Sequence, residues 1–233
     1  QQQQQQQRPI QGGSRSNYGT YGTRSEVRLS TDSGRPLDSR VQLWDGPDNA
    51  SHDVRVWSED GRERSMTLGM ERMDRWGGGA YGDQRNGSVD VRNRGPMEFP
   101  MRAGVSHGPQ QRQQQQQQPR QQQLYAPPSA RGGGGQTIQG GTVRHFPIHP
   151  AVSSVRVTLE SDGLPIKALV ELLQGPGRVA QLAEVYNQHG RTFEAVLPTP
   201  GYGSTVAVRN EGPMEYPFWA SVEPMEMEGG REG

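Results

Sequence analysis

The chain has 233 residues and a formal net charge of zero, with 25 basic and 25 acidic residues. A neutral chain has no net field to attract nucleic acid or an anionic membrane, so neither is expected as a partner. The absence of cysteine excludes disulfides, thiolate metal sites and a cysteine nucleophile. Only 30% of the residues are hydrophobic, and glycine and proline number 32 and 18. This composition favours small β modules joined by low-complexity segments.

The chain opens with a glutamine tract and a basic, glycine-rich arm, which we assign to residues 1–24. This arm contains PIQGGS from Pro9, and TIQGGT from Thr137 repeats it in a second basic, low-complexity segment, residues 106–152. The tail, residues 223–233, is acidic, and each of the two bodies between these segments has a small excess of acidic residues. We therefore expect an arm of one chain to dock on the body of another, with the arm contacts made by Ile10, Gln11, Ile138 and Gln139.

The first body, residues 25–105, alternates polar and apolar residues in short runs such as SRVQLW and DVRVW. This alternation, with Gly-Pro, Asp-Gly and Asn-Gly pairs between the runs, is typical of half-buried antiparallel strands. We predict about six strands in each body. The last run contains Pro100 in this body and Pro217 in the second. Because proline cannot donate to a sheet ladder, we expect that strand to be an edge or to bulge there.

The second body, residues 153–222, repeats the first over nearly its whole length. Val27 matches Val155 at a shift of 128 residues, and the block around Gly46 matches that around Gly175 at a shift of 129. PIKALVELLQG and AQLAEVY resemble helices on their own, but their counterparts in the first body have the period of strands. Duplicated sequences should share a fold. We therefore predict an all-β protein with two tandem antiparallel β-sandwich domains from an internal duplication, and with Gln/Gly-rich arms.

The most strongly repeated stretch closes each body: VRNRGPMEFP begins at Val91 and VRNEGPMEYP at Val208. Asn-x-Gly-Pro is typical of a turn, and on one interpretation the residues after it are ordinary strand residues. On the other interpretation, the arginine and glutamate of each copy pair or reach a neighbouring molecule. The candidate interface residues are Arg92, Asn93, Gly95, Pro96, Met97, Glu98 and Phe99, with Arg209, Asn210, Gly212, Pro213, Met214, Glu215 and Tyr216 in the second copy.

No sequence pattern indicates catalysis. There is no phosphate-binding loop, no G-x-S-x-G and no pair of carboxylates at a catalytic spacing. His145 and His149 lie four residues apart, but Pro147 between them disfavours a helix, and two imidazoles alone make a poor metal site. We expect no catalytic residue, no metal and no cofactor, and we predict that the protein is not an enzyme.

Three stretches in the first body and one in the second resemble the diatom pyrenoid shell proteins. They are VQLWDGPDN followed by VRVWSEDGR, and VRNRGPMEFPMRAGV with its partner VRNEGPMEYPFWASV. The resemblance implies a structural protein with two pseudo-twofold-related bodies. It implies self-assembly into a sheet at the periphery of the chloroplast pyrenoid, around the Rubisco matrix, with a role in CO2 concentration. The implied partners are other copies of the chain, together with Rubisco or pyrenoid matrix proteins, and any targeting peptide is absent from this chain.

Two other functional classes stay open from the residues alone. A β-sandwich module that binds carbohydrate or cell-wall matrix would expose Trp44, Trp57 and Trp76 along one face. A condensate scaffold driven by the Gln- and Gly-rich arms would form droplets, with the bodies dispensable. We expect electron microscopy of the purified chain to distinguish sheets from either alternative.

Overall fold

The structure is a computed structural model, and it describes residues 9–20, 22, 24–44, 50–71, 87–108, 134–175, 177–199 and 203–227. These ranges contain β-strands and turns and no helix. The first half of the chain forms eight strands: β1 (Pro9–Ile10), β2 (Arg15–Thr20), β3 (Arg24–Ser30), β4 (Leu37–Trp44), β5 (Ala50–Ser58), β6 (Met66–Glu71), β7 (Gly87–Asn93) and β8 (Met101–Gly108).

The second half forms eight more strands in the corresponding order. They are β9 (Gln136–Ile138), β10 (Val143–Ile148), β11 (Val152–Glu160), β12 (Ile166–Gln174), β13 (Val179–Asn187), β14 (Phe193–Pro198), β15 (Ser204–Asn210) and β16 (Phe218–Met227). The two segments that resemble helices in the sequence are β12 and β13. The all-β prediction is confirmed, because each body contributes six of these strands and the remaining four precede the bodies.

The strands form two antiparallel sheets of eight, which pack face to face as one sandwich. Sheet A has the order β1-β8-β3-β6-β14-β11-β16-β9, and sheet B has the order β10-β15-β12-β13-β5-β4-β7-β2. Each half of the chain therefore supplies four neighbouring strands to each sheet. The two predicted sandwiches are joined edge to edge through β6–β14 and β5–β13.

An approximate twofold axis passes through these two central ladders. In sheet B, Arg55 lies opposite Glu184, and these residues correspond to one another at the sequence shift of 129. In sheet A, Thr67 lies opposite Val196, which correspond at the same shift. A residue that pairs with its own counterpart marks the position where the two halves exchange under a half-turn. The axis therefore runs through the centre of both sheets.

One hydrophobic core extends through both halves. Alternate residues of each strand face the space between the sheets, as period-two alternation requires. Val27, Leu29 and Leu68 of the first half are fully buried together with Val157 and Phe193 of the second. Because the core is shared, we expect the halves to unfold as one unit.

Polar contacts also join the halves. The Arg24 guanidinium lies 2.6 Å from a carboxylate oxygen of Glu194. Burial lowers the pKa of Arg24, but the hydrogen bond and charge of Glu194 more than offset this, so that its pKa is raised. Arg64 donates a hydrogen bond of 2.7 Å to the side chain of Gln174. These contacts cross the central ladders and favour a fixed arrangement of the halves.

Two sequence-based expectations are revised. Pro100 and Pro217 were expected inside the last strands, but β8 and β16 begin at the residues that follow them. Residues 9–20, assigned to the first arm, form β1 and β2 and pair with β8 and β7 of their own half. In the second arm, β9 and β10 pair with β16 and β15. Docking of an arm on a neighbouring chain stays a prediction.

Candidate assembly interface

The turn between β7 and β8 is organised around one buried asparagine. Asn93 is 2% exposed. Its Nδ2 donates to the carbonyl oxygens of Ile10, at 2.9 Å, and Phe99, at 2.8 Å. Its Oδ1 accepts a hydrogen bond of 2.9 Å from the backbone N–H of Gly95. This side chain therefore fixes the shape of the turn and holds the arm strand β1 against it.

The turn between β15 and β16 has the same hydrogen bonds. Asn210 is 1% exposed, and its Nδ2 donates to the carbonyl oxygens of Ile138, at 3.0 Å, and Tyr216, at 2.8 Å. The backbone N–H of Gly212 donates to its Oδ1 over 2.8 Å. The corresponding distances in the two halves agree within 0.1 Å. The repeated motif therefore encodes one local structure that is built twice.

The glycines of the two IQGG segments explain why the arm and the turn are repeated together. A Cβ on Gly12 would lie 1.9 Å from the carbonyl oxygen of Pro96, so no larger residue fits there. Gly13, at φ 77°, donates its N–H to the carbonyl oxygen of Asn93. In the second half a Cβ on Gly140 would lie 1.9 Å from the carbonyl oxygen of Pro213. The arm and the turn are therefore in close contact in both halves, with a glycine where the two backbones meet.

Each turn exposes a methionine. Met97 is 78% exposed and Met214 is 75% exposed. Beside Met97, the Arg35 guanidinium lies 4.6 Å from the centre of the Phe99 ring and donates a 2.9 Å hydrogen bond to the carbonyl oxygen of Glu98. The turn is held by several hydrogen bonds, and its apolar tip faces solvent. A methionine in this position suits contact with another molecule, because its unbranched side chain adapts to varied surfaces.

The eighteen candidate residues divide into a buried framework and an exposed surface. The framework consists of Ile10, Ile138, Asn93 and Asn210, with Gly95, Gly212 and Phe99 half-buried. Exposed are Gln11, Gln139, Arg92, Arg209, Pro96, Pro213, Met97, Met214, Glu98, Glu215 and Tyr216. The structure brings each IQGG segment to the turn of its own half. No ion pair joins Arg92 to Glu98, or Arg209 to Glu215, within the described part of the chain.

The sequence alone did not identify two features of the structure. It indicated Ile10 and Gln11 as candidate residues but not Gly12, although the repeated Gly-Gly pair could have indicated a close approach of two backbones. It also missed a groove of about 270 Å³ on the outer face of sheet B, lined by Arg40, Arg55, Arg94, Lys167 and Glu184 among others. The hydrogen bond from Arg40 to Asp53 raises the pKa of Arg40. The groove requires the pairing of β5 with β13, which the sequence does not reveal.

The described residues hold no group of three or more His, Cys, Asp or Glu side chains able to bind a metal ion. Across the same ranges no helix is long and apolar enough to cross a membrane.

Comparison with solved structures finds distant likenesses. The PBSX exported protein XepA is 10% identical, with 93% of this chain and 84% of that chain covered and a TM-score of 0.27. The tandem CBM22 domains of Paenibacillus barcinonensis Xyn10C are also 10% identical, with 90% and 82% covered and a TM-score of 0.25. These scores are too low to support any argument about function. Comparison with curated proteins gives no match. The family model described as diatom pyrenoid shell protein matches residues 2–224, and the chain therefore belongs to that family.

Proposed function

We propose that this member of the pyrenoid shell family assembles with copies of itself into an extended sheet. The observation that carries the proposal is the exposure of Met97 and Met214. Each lies on a turn fixed by the same hydrogen bonds, and about three quarters of each side chain is exposed. Folding does not require an apolar side chain at such a position, yet both halves carry one. Burial against another copy explains this repetition.

The edges of sheet A support the same proposal. β1 pairs only with Met101 and Arg102 of β8, and β9 pairs only with Phe218–Ala220 of β16. Among the described residues, the remainder of β8 and of β16 has no neighbouring strand on that side. Open strand edges accept strands from other molecules. Because the halves are similar but not identical, such contacts can propagate without closing into a small ring.

On this proposal the sheet lies at the periphery of the chloroplast pyrenoid and encloses the Rubisco matrix. Its role is structural: it separates the matrix from its surroundings and so serves CO2 concentration, with Rubisco or matrix proteins on one side. No catalytic group is required of the chain. The family to which the chain belongs supports this placement.

The alternatives have less support. Trp44 and Trp57 both lie on the outer face of sheet B but are half-buried, and Trp76 lies outside the described residues. A carbohydrate platform needs flat, open aromatic faces, and these two tryptophans do not supply one. A condensate scaffold requires arms that are independent of the folded bodies. In this chain residues 9–20 of the first arm form β1 in sheet A and β2 in sheet B, so that part of the arm belongs to the fold.

Electron microscopy and light scattering of the purified chain test the proposal. We expect sheets or tubes, and we expect the double variant Met97→Ser and Met214→Ser to raise the concentration needed for assembly at least about tenfold. Fully burying one methionine contributes about 1.5–3 kcal/mol, and about 1.4 kcal/mol corresponds to tenfold. Leu164→Ser is the matched control. Leu164 is 36% exposed, and its counterpart in the first half is Arg35. A chain that stays monomeric at all concentrations, or a double variant that assembles like the wild type, would overturn the proposal.

A further inference from the structure

Four arginines form a straight row on the outer face of sheet B. Arg15 of β2 lies opposite Arg92 of β7, Arg92 lies opposite Arg40 of β4, and Arg40 lies opposite Arg55 of β5. Neighbouring strands are about 4.8 Å apart, so the row extends about 14 Å across the sheet. These residues are far apart in the sequence, and only the register of four strands brings them together.

The fold does not require this row. Like charges placed directly opposite one another destabilise a sheet. The corresponding positions in the second half, which has the same strand order, are occupied mostly by uncharged or acidic residues: Val143, Arg209, Leu169 and Glu184. Since one half folds without the row, its presence in the other half calls for a reason outside the fold.

The arginines are only partly neutralised within the chain. Arg40 holds Asp53 with two hydrogen bonds, one of 2.8 Å from its Nε. Arg15 lies 3.8 Å from the carboxylate of Asp90 and is 77% exposed. For Arg92 no ion pair occurs within the described ranges, and its side chain is exposed. The outer end of the row therefore presents two exposed guanidinium groups.

The inner end of the row continues into the groove at the approximate twofold axis. Arg55 lies 3.8 Å from Asp38 and 3.7 Å from Glu184, and its Nε is buried without a hydrogen-bond partner in the described part of the chain. Arg94 and Lys167 also line the groove. A chain segment that follows the row would therefore end in a concave site that adds these two cations and is also lined by Glu184 and Glu211.

We propose that this row, which we call the arginine row (Arg15, Arg92, Arg40 and Arg55), binds the acidic segment 223–232 of a second copy of the chain. The planar guanidinium fork suits carboxylates, and the row already holds Asp53 in this way. A nucleic-acid backbone fits less well, because Asp38, Asp53 and Asp90 lie among the arginines and would repel closely spaced phosphates.

The acidic segment matches the row in charge. It carries Glu223, Glu226, Glu228 and Glu232 against a single base, Arg231. Glu223 and Glu226 belong to β16, which is paired with β11, and Glu228 follows them in the sequence. In the same chain β16 lies in the other sheet and in the other half of the molecule. We therefore assign the bound segment to a second copy and not to the same chain. This assignment rests on the proposed self-assembly.

Fluorescence anisotropy with a labelled peptide of residues 222–233 tests the proposal, using the full chain in a dispersed state. Because the peptide is added to dispersed protein, the result does not depend on sheet formation. We expect binding that weakens at least tenfold in the double variant Arg15→Glu and Arg92→Glu. The matched control Arg209→Glu, at the exposed counterpart of Arg92 in the second half, should bind as the wild type does. Circular dichroism confirms that each variant is folded.

Other outcomes overturn the proposal. If the peptide does not bind, or binds the double variant as tightly as the wild type, the row has no such role. If oligo-glutamate binds but the peptide does not, the occupant is a different acidic polypeptide. If an RNA oligonucleotide binds more tightly than the peptide, the row recognises phosphate. A peptide with all four glutamates changed to glutamine should fail to bind, and its binding would exclude charge recognition.

Discussion

Replacing Asn93 by alanine removes the centre of the first turn, and the structure gives the size of the effect. Three hydrogen bonds of 2.8–2.9 Å are lost from a side chain that is 2% exposed. Each contributes about 1 kcal/mol net, and the groups left behind are only partly able to reach water. We therefore expect the free energy of unfolding to fall by about 3 kcal/mol, within a range of roughly 2–4.

Thermal unfolding of the dispersed chain, followed by near-ultraviolet circular dichroism, measures this loss. For a chain of this size 1 kcal/mol shifts the melting temperature by about 2–4 °C, so the expected decrease is roughly 6–12 °C. Asn17→Ala is the control, because Asn17 is an exposed asparagine on β2. Asn210→Ala should give the same loss as Asn93→Ala, since the corresponding hydrogen bonds agree in length within 0.1 Å.

A loss below about 1 kcal/mol for Asn93→Ala would refute this reasoning, because it would mean that water replaces the hydrogen bonds at little cost. Clearly unequal losses for Asn93→Ala and Asn210→Ala would refute the claim that the two turns are one local structure built twice. The double variant should lose the sum of the two single losses, since the turns share no residue.

Two further predictions follow from the arms and the central ladders. Gly12→Ala should lower the melting temperature, because its Cβ would collide with the carbonyl oxygen of Pro96 at 1.9 Å, whereas Gly19→Ala, with no atom within 4 Å of its Cβ, should be tolerated. The separate halves, residues 9–108 and 134–227, should each fail to show a sharp unfolding transition, because separation exposes β5, β6, β13 and β14 and divides the shared core. A sharp transition in either half would contradict the second expectation.

The strands could be predicted from the sequence because two copies could be compared. The second copy alone does not distinguish a helix from a strand, and the first copy does. Leu169, Leu172 and Leu173 suggest a helical face, but their counterparts alternate as a strand does. The residues of the turn could be chosen in the same way, since they are repeated. The sequence could not show that Asn93 is buried and Met97 exposed, because the burial of the turn depends on where the arm lies.

The joining of the halves and the placement of the arms could not be predicted for a physical reason. β1 has only two residues, too few for a periodic pattern, and its position is fixed by pairing with Met101, by the hydrogen bond from Asn93 and by burial of Ile10. Alternation in β5 and β13 shows which face is buried but not which strand lies alongside. Residues 1–24, which the sequence assigns to an arm, contain β1, β2 and the first residue of β3.

The distribution of similarity between the halves indicates how one chain can serve as a repeating unit. The turns are alike in hydrogen bonding and in their exposed methionines, so the approximate twofold axis presents the same contact on two sides. The outer face of sheet B differs, with Arg40 in one half and Leu169 at the corresponding position in the other. Equivalent turns alone would favour closed, symmetric pairs. Because the faces are unequal, a contact between the arginine row of one copy and an acidic segment of the next is heterologous. In the proposed assembly, such a contact leaves the same surfaces free on each new copy, so growth does not stop at a closed pair.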